Sequence, residues 1–184
     1  TSNGIDDTIF FDNSIIANEN QFFYKVELFS DFHVLVGGST ASSQYLTLIP
    51  QDNGMVLNWQ SQIPWQDTAF VIFRKKPNGS VYDSITTVTD ATFMDTKLKN
   101  GEIYCYYIEA IGSYSGTKTI SPLINLSNYL CAIPIDSTSP LPPEISIMED
   151  CENNSIYFSF VSDSVSAEDT KNYNIYLLQG NTKK

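Results

Sequence analysis

Hydrophobic and polar residues alternate along the chain in short runs, which are separated by Gly, Pro, Asn and Asp. A period of two is typical of half-buried β-strands, because successive side chains on a strand point to opposite faces of the sheet. No window of about 11 residues or more holds the 3.6-residue apolar stripe of an amphipathic helix. The pattern predicts an all-β protein with strands at residues 8–11, 21–30, 41–49, 55–60, 69–75, 80–87, 92–95, 103–111, 121–131, 145–149, 155–161 and 172–178.

The sequence also resembles itself. Three pairs of segments are similar: 45–50 (YLTLIP) with 129–134 (YLCAIP), 24–27 (YKVE) with 106–109 (YYIE), and 57–73 with 158–176. The first pair is separated by 84 residues and the second by 82. Self-similarity at a nearly fixed spacing is typical of a repeat array. Because the predicted strands exceed the roughly seven to nine of one immunoglobulin-like sandwich, we expect tandem β-sandwiches.

The similarities divide the chain into one complete and two partial repeats. Residues 1–44 are predicted to hold the last strands of one sandwich, 45–134 a complete sandwich, and 144–184 the opening strands of a third. The segment 135–143 contains three prolines in four residues. Since proline fixes φ and lacks an N–H donor, we expect a stiff, extended linker there. The first junction has no spacer, so 41–49 should serve both neighbouring sandwiches in turn.

The partial repeats would leave apolar strand faces uncovered, around Phe22 and Val26 in the first and around Phe158 and Phe160 in the third. We therefore expect the chain to be the ordered part of a longer protein. Completion of the two halves by each other, or by another chain through strand addition, is the alternative.

Composition and charge narrow the possible partners. Aromatic residues make up 13% of the chain and charged residues 17%, which suits pleated, half-buried strands. Ten Lys and Arg stand against 21 Asp and Glu, a formal net charge of −11, and the bases concentrate only at 74–76 and 183–184. Nucleic acid and anionic membranes both require a basic face, so neither is an expected partner. With no apolar stretch of about 18 residues, no membrane insertion is expected, and any secretion signal lies outside this chain.

Residues able to carry chemistry are sparse. His33 is the only histidine and is expected in a loop, so neither a triad nor a histidine-activated thiol is predicted. The acidic pairs at 6–7 and 149–150 lack the alternating spacing of a calcium loop, and no Gly-rich phosphate loop is present. We predict no catalytic, cofactor or metal site, and no enzyme.

Trp65 follows a proline between two predicted strands. An exposed tryptophan at that place could stack on a sugar. Burial tendencies favour the other interpretation, in which the ring packs over the edge of the sheet.

The segment Leu98-x-x-Gly101-x-x-Tyr104, followed by Tyr106 and Ile108 at alternate positions, resembles the tyrosine corner and strand F of a fibronectin type III domain. The resemblance implies a buried corner tyrosine whose hydroxyl bonds to backbone slightly upstream. It also places a strand-B tryptophan in the core. The core residues it implies are Trp59, Leu98, Tyr104, Tyr106 and Ile108. The first repeat departs from the pattern, because it lacks the glycine and has Phe22 in place of the tyrosine.

A longer stretch is more specific. Residues 100–115, 121–125 and 131–134, together with 63–65, resemble the fibronectin-like repeats of gliding-motility-associated surface proteins of Bacteroidetes. Those proteins are exported by the type IX secretion system to the outer face of the outer membrane. The resemblance implies a non-enzymatic structural or adhesive region on the cell surface, without cofactors. Implied partners are neighbouring repeats, components of type IX secretion or of the outer membrane, and a surface glycan or protein ligand. The alternative is a set of accessory sandwiches of a secreted carbohydrate-active or proteolytic enzyme.

The chain has three cysteines and no C-x-x-C motif. Antiparallel pairing of strands F and G would bring the start of one strand beside the end of the other. Cys105 and Cys131 are therefore expected to form a disulfide, and two free thiols in a reducing compartment are the alternative. Members of the resembled family often place a partner for Cys151 where this chain has Ser166, so Cys151 is expected to be unpaired.

The triplet Asp, then Ser or Thr, then an apolar residue or Thr, is an O-glycosylation acceptor in the same phylum. This chain has five such triplets, although Asp-Ser and Asp-Thr are also ordinary turn and strand-edge pairs. The candidate acceptors are Thr8, Thr68, Ser84, Ser137 and Ser164.

Overall fold

The protein is described here by a computed structural model, covering residues 9–16, 18–30, 33–115, 121–139, 141–161, 172–176, 178–179 and 182–183. Regular elements in these ranges are all β-strands, which confirms the predicted all-β class. The chain divides into two compact units, Thr1–Asp136 and Ser137–Lys184. The strands of the first are β1 (Phe23–Tyr24), β2 (Glu27–Ser30), β3 (His33–Gly37), β4 (Ala41–Ser42), β5 (Tyr45–Gln51), β6 (Gly54–Gln60), β7 (Gln66–Lys75), β8 (Asp83–Val88), β9 (Thr92–Thr96), β10 (Tyr104–Ser113), β11 (Leu123–Leu126) and β12 (Leu130–Ala132). Those of the second are β13 (Glu144–Asp150), β14 (Ser155–Val161), β15 (Leu178–Gln179) and β16 (Thr182–Lys183).

Two sheets of the first unit enclose one hydrophobic core. β5, β6 and β9 form a three-stranded sheet, and β11, β10, β7 and β8 form a second sheet in which β12 also pairs with β10. Inward side chains of both sheets meet in one buried cluster, an arrangement consistent with a β-sandwich. The cluster contains Leu46, Met55, Leu57, Trp59, Phe70, Ile72, Leu98, Tyr104, Tyr106, Ile108 and Ala110, and so includes all five expected core residues.

The alternation read from the sequence is visible on β6. Met55, Leu57 and Trp59 are buried, whereas Gln60 is exposed. Across the core, the Trp59 ring meets Phe70 edge-on with 5.3 Å between centroids. The predicted strand at 55–60 thus places alternate side chains in the interior of the first unit.

The segment 41–49 is divided between two sheets. Ala41 and Ser42 pair with β1, whereas β5 begins at Tyr45 and pairs with β6. Between them, Gln44 forms an isolated parallel bridge with Ser127. Gln21 also donates from Nε2 to Ser42 Oγ over 3.0 Å. Hydrogen bonds between polar groups therefore fasten the first junction.

Several predicted strands are wrong or too long. Residues 9–11 and 172–176 form no strand, although both were predicted to, and residue 8 lies outside the described residues. His33 begins β3 and does not lie in a loop. Predicted strands 21–30 and 121–131 are each interrupted, the second at 127–129. Alternation reports which residues prefer a half-buried surface, but a strand also needs a partner to accept its backbone hydrogen bonds.

The second unit contains a long antiparallel hairpin. β13 and β14 pair over seven positions, from Glu144 opposite Val161 to Asp150 opposite Ser155. Ile147 and Phe158 face each other on one side of this ladder, and both are exposed. A separate two-residue ladder joins β15 to β16.

Candidate functional site

Two connections between strands meet at one end of the β-sandwich in the first unit and form an open groove. One follows β7, and the other joins β9 to β10. The groove has a volume of about 380 Å³, within the range of small-molecule sites. It is lined by Arg74, Lys76, Pro77, Asn78, Lys97, Leu98, Glu102 and Tyr104.

Local backbone geometry brings these side chains to the groove. Asn78 and Lys97 both have a positive φ, 58° and 61°. Such a conformation is tolerated by Asn but is uncommon for Lys. The amide of Leu98 donates to the Asn53 carbonyl over 2.9 Å, which ties the second connection to the β5–β6 turn. The position of Lys97 is therefore fixed by its neighbours in spite of an unfavourable backbone conformation.

Charge is distributed unevenly along the chain, and the groove is where the bases concentrate. Residues 45–134 contain six basic and seven acidic residues, whereas 1–44 contain one and six, and 135–184 three and eight. Five of those six bases belong to 74–76 and 97–99, the segments that line or border the groove. A locally positive groove on an acidic chain favours an anionic ligand.

Beneath the groove lies a buried polar cluster. Arg74 Nη1 donates to both carboxylate oxygens of Asp95, over 3.0 and 2.8 Å, and the Tyr106 hydroxyl donates to Asp95 Oδ2 over 2.8 Å. Burial raises the pKa of Tyr106, and the neighbouring Asp95 charge raises it further, so the phenol keeps its proton. Arg74, which also lines the groove, is thus held in place by Asp95.

Tyr104 connects the core to the groove wall. Its ring is buried, and its hydroxyl accepts a hydrogen bond from the Lys99 amide over 3.1 Å. The Arg74 guanidinium lies 6.0 Å from the centre of the Tyr104 ring, within cation–π distance. The hydroxyl contact with backbone five residues upstream is the geometry expected of the corner tyrosine.

The cysteines are found in two states. Cys105 lies directly opposite Cys131 in the β10–β12 ladder, and a disulfide with a sequence separation of 26 joins them. Cys151 is exposed and free, in the turn between β13 and β14. A disulfide of this kind fits an oxidising compartment.

The outer surface of the five-stranded sheet carries a group of aromatic rings that the sequence did not single out. Phe73 and Tyr107 lie opposite each other on β7 and β10 and stack with 4.5 Å between centroids and an interplanar angle of 3°. Tyr82 and Tyr129 pack against Tyr107 at 5.1 and 5.0 Å. Lys75 Nζ lies 5.4 Å from the Tyr82 ring centre, on this side of the sheet and outside the groove lining.

Trp65 is half-buried at the other end of β7. Its Nε1 donates to Asp67 Oδ1 over 3.1 Å, and its ring meets Tyr114 edge-on at 5.9 Å. Gln44 donates to the second Asp67 oxygen over 2.6 Å. Burial raises the pKa of Asp67, and these two hydrogen bonds oppose the rise. A side chain on Gly112 would collide with this arrangement, since its Cβ would lie 2.6 Å from Asp67 Oδ1.

The candidate glycosylation acceptors lie apart from one another. Thr68 is exposed on β7, and its hydroxyl donates to the Ile111 carbonyl over 3.1 Å. Ser84 is exposed on β8, and Ser137 is exposed between β12 and β13. Thr8 and Ser164 lie outside the described residues.

Within the described ranges, no group of three or more His, Cys, Asp or Glu side chains is placed to hold a metal ion. Nor do these ranges contain any helix capable of crossing a bilayer. The groove lining supplies ammonium, guanidinium, amide and carboxylate groups, which act through charge and hydrogen bonding.

No family model matches the chain, and no curated protein matches it. A solved structure described as "Myokine structure" is similar over 51% of this chain and 97% of its own, at 16% identity and a TM-score of 0.40.

Some residues of the groove could not be assigned from the sequence. Residues 74–76 stand out there as a basic run, but Lys97 lies about two strands further along and is brought beside them only by the packing of two sheets. Asn128 was missed for the same reason. Its Oδ1 accepts from the Leu46 amide over 2.7 Å, across a separation of 82 residues.

Proposed function

We propose that the chain is a non-enzymatic structural or adhesive repeat region of a secreted cell-surface protein, built from fibronectin type III-like sandwiches. The observation that carries the proposal is a hairpin that recurs. β5–β6 pairs Leu46 with Trp59 and Leu48 with Leu57. In β13–β14, Ile145 pairs with Phe160 and Ile147 with Phe158.

The recurrence agrees with the internal sequence similarity. Residues 57–59 align with 158–160 by sequence, and the partners of Leu57 and Trp59 on β5 correspond to the partners of Phe158 and Phe160 on β13. The turns differ in length, but each has a positive-φ asparagine directly before the second strand, Asn53 and Asn154. This supports residues 144–184 as the opening of a repeat equivalent to 45–134.

Two further features support the fibronectin type III assignment of 45–134. The sheets contain β5, β6 and β9 on one side and β8, β7, β10 and β11 on the other, the strand distribution of that class. The Tyr104 hydroxyl bonds to backbone shortly upstream, as the corner tyrosine does. The proposal includes export by type IX secretion, because residues 63–176 resemble repeats of surface proteins that use this route.

Labelling of intact cells tests the location. An antibody against 45–134 should bind cells that make the protein without permeabilisation, and external protease should remove the signal while a cytoplasmic marker survives. Non-reducing mass spectrometry of the released fragments should detect the Cys105 peptide and the Cys131 peptide joined by a disulfide. Antigen reached only after lysis, with both cysteines reduced, contradicts the proposal.

A further inference from the structure

We propose that the groove between the β7–β8 and β9–β10 connections binds an acidic sugar, a carboxylate-bearing ring of the kind found in uronic-acid glycans. The inference deepens the adhesive form of the proposed function and rests on it for its biological meaning. The binding itself depends only on residues of the first unit.

Charge gives the first reason. Lys76 and Lys97 line the groove, and within the described chain neither takes part in an ion pair. Arg74, the third cation of the lining, is already bonded to Asp95, which leaves the two ammonium groups as the free cations. They lie in a sandwich whose flanking segments are strongly acidic, so their proximity is not a consequence of a generally basic surface.

Backbone conformation gives the second reason. Four non-glycine residues among those described have a positive φ, and three of them are asparagines, which adopt that conformation readily. Lys97 is the exception. A residue held in a costly conformation is a reason to look for function at that position, and here the lysine is one of the two free cations of a groove.

The mixture of groups selects the ligand class. A plain anion site would contain donors alone, but this lining also has the Glu102 carboxylate and the Asn78 amide, both of which can accept from hydroxyls. Glu102 is partly neutralised by Lys99, whose Nζ lies 2.8 Å from it. A ligand with one carboxylate and several hydroxyls satisfies the lysines, Asn78 and Glu102 together, whereas an acidic peptide has no hydroxyls and could reach Asn78 and Glu102 only with its backbone amides. The volume of about 380 Å³ suits one or two sugar rings.

Titration of the 184-residue protein with digalacturonic acid tests the proposal, followed by amide chemical shifts and by calorimetry. Saturable binding is expected, with shifts centred on 76–78 and 97–102. The fully methyl-esterified disaccharide keeps the hydroxyls but loses the charges, and should bind about tenfold more weakly. Tetraglutamate supplies carboxylates without hydroxyls and should bind more weakly as well.

The matched variants are Lys76→Gln, Lys97→Asn and Lys75→Gln. The first two should each weaken binding about threefold to fivefold, and their combination about tenfold or more. Asparagine is chosen at 97 because it tolerates the positive φ. Lys75→Gln changes the net charge equally but alters the outer sheet surface, and it should leave the affinity unchanged. Should Lys97→Asn fail to show the wild-type unfolding transition, Lys76→Gln carries the comparison with the Lys75 control.

Three results would overturn the inference: no saturation with the acidic sugar, equal loss in the Lys75 variant, or tetraglutamate binding at least as tightly as the sugar. The last result would assign the groove to acidic peptides. Surface labelling of cells is independent of these titrations, so a failure of the binding site and a failure of the proposed location can be told apart.

Discussion

The hairpins β5–β6 and β13–β14 have matching registers and opposite surroundings. Leu46 is 1% exposed and Leu57 0%, because the five-stranded sheet covers them. The equivalent Ile145 is 61% exposed and Phe158 40%. Pairing and register are therefore local properties, set by alternation and by the turn. Burial is not local, because it requires a second sheet.

The largest contrast is expected from truncating equivalent core positions. Leu57→Ala should lower the free energy of unfolding of the first unit by about 2–5 kcal/mol, since it removes buried methyl groups and leaves a cavity. Phe158→Ala should change it by less than about 0.5 kcal/mol. Both tryptophans, Trp59 and Trp65, belong to the first unit, so urea unfolding followed by tryptophan fluorescence reports that unit alone.

An equal shift in the two variants would break the comparison. It would mean that the side chain of Phe158 contributes to the core around Trp59. The matched control is Tyr157→Ala, on the opposite side of the β14 strand from Phe158, and it should also leave the transition unchanged.

The second contrast concerns the cysteines. Replacing Cys105 and Cys131 by Ser should destabilise the first unit by roughly 3 kcal/mol. The disulfide closes a loop in the unfolded chain and so lowers the conformational entropy of that chain. Cys151→Ser should have no effect on that transition, since the thiol is exposed and free. Iodoacetamide under native conditions should modify Cys151 alone. Modification of Cys105 without prior reduction would contradict the structure.

These contrasts also indicate what sequence alone could provide. The period of two predicted the strands at 55–60, 103–111, 145–149 and 155–161, and the resemblance to a fibronectin type III domain implied Trp59, Tyr106 and Ile108 as core residues. The period of two could not decide whether an apolar strand has a partner. For that reason the run at 9–11 was predicted as a strand and is none.

Contacts between distant segments were equally beyond the sequence. Arg74 and Asp95 are 21 residues apart, and nothing in either local pattern pairs them. The groove could not be predicted from the sequence for the same reason, since its two lysines belong to different connections between strands. The burial of Tyr104 could be predicted only because the spaced motif Leu-x-x-Gly-x-x-Tyr resembles a tyrosine corner.

A smaller effect is expected from the hydroxyl of that tyrosine. Tyr104→Phe keeps the buried ring but removes the acceptor of the Lys99 amide, and should cost about 1 kcal/mol of stability. Tyr107→Phe is the control, since no hydrogen bond of its hydroxyl is described, and it should be close to neutral. The internal sequence similarity aligns Phe22 with Tyr104, so a neutral Tyr104→Phe would mean that the hydroxyl is dispensable at this position, as it is absent at Phe22.

The smallest contrast is in pH dependence, and its sign differs between the two units. Burial raises the pKa of Asp67 in the first unit above 3.8. Its folded form binds a proton more readily than its unfolded form, so the Asp67 contribution becomes more stabilising as the pH falls from neutral toward 3.8. In the β13–β14 turn, hydrogen bonds from Asn153 and from the Glu152 amide lower the pKa of Asp150 below 3.8. That contribution is present above pH 3.8 and is lost as the pH falls through the folded pKa.

Carboxyl carbon chemical shifts, followed through an acid titration, measure both groups in one sample. Asp67 should titrate above 3.8 and Asp150 below it, and the variants Asp67→Asn and Asp150→Asn assign the two signals. Gln44→Ala should raise the pKa of Asp67 further, because it removes a hydrogen bond of 2.6 Å to the charged form. Coincident midpoints would mean that Asp67 is as solvated as the turn residue. The burial that distinguishes the first unit would then not extend to the start of β7, where Gln44 and Trp65 contact Asp67.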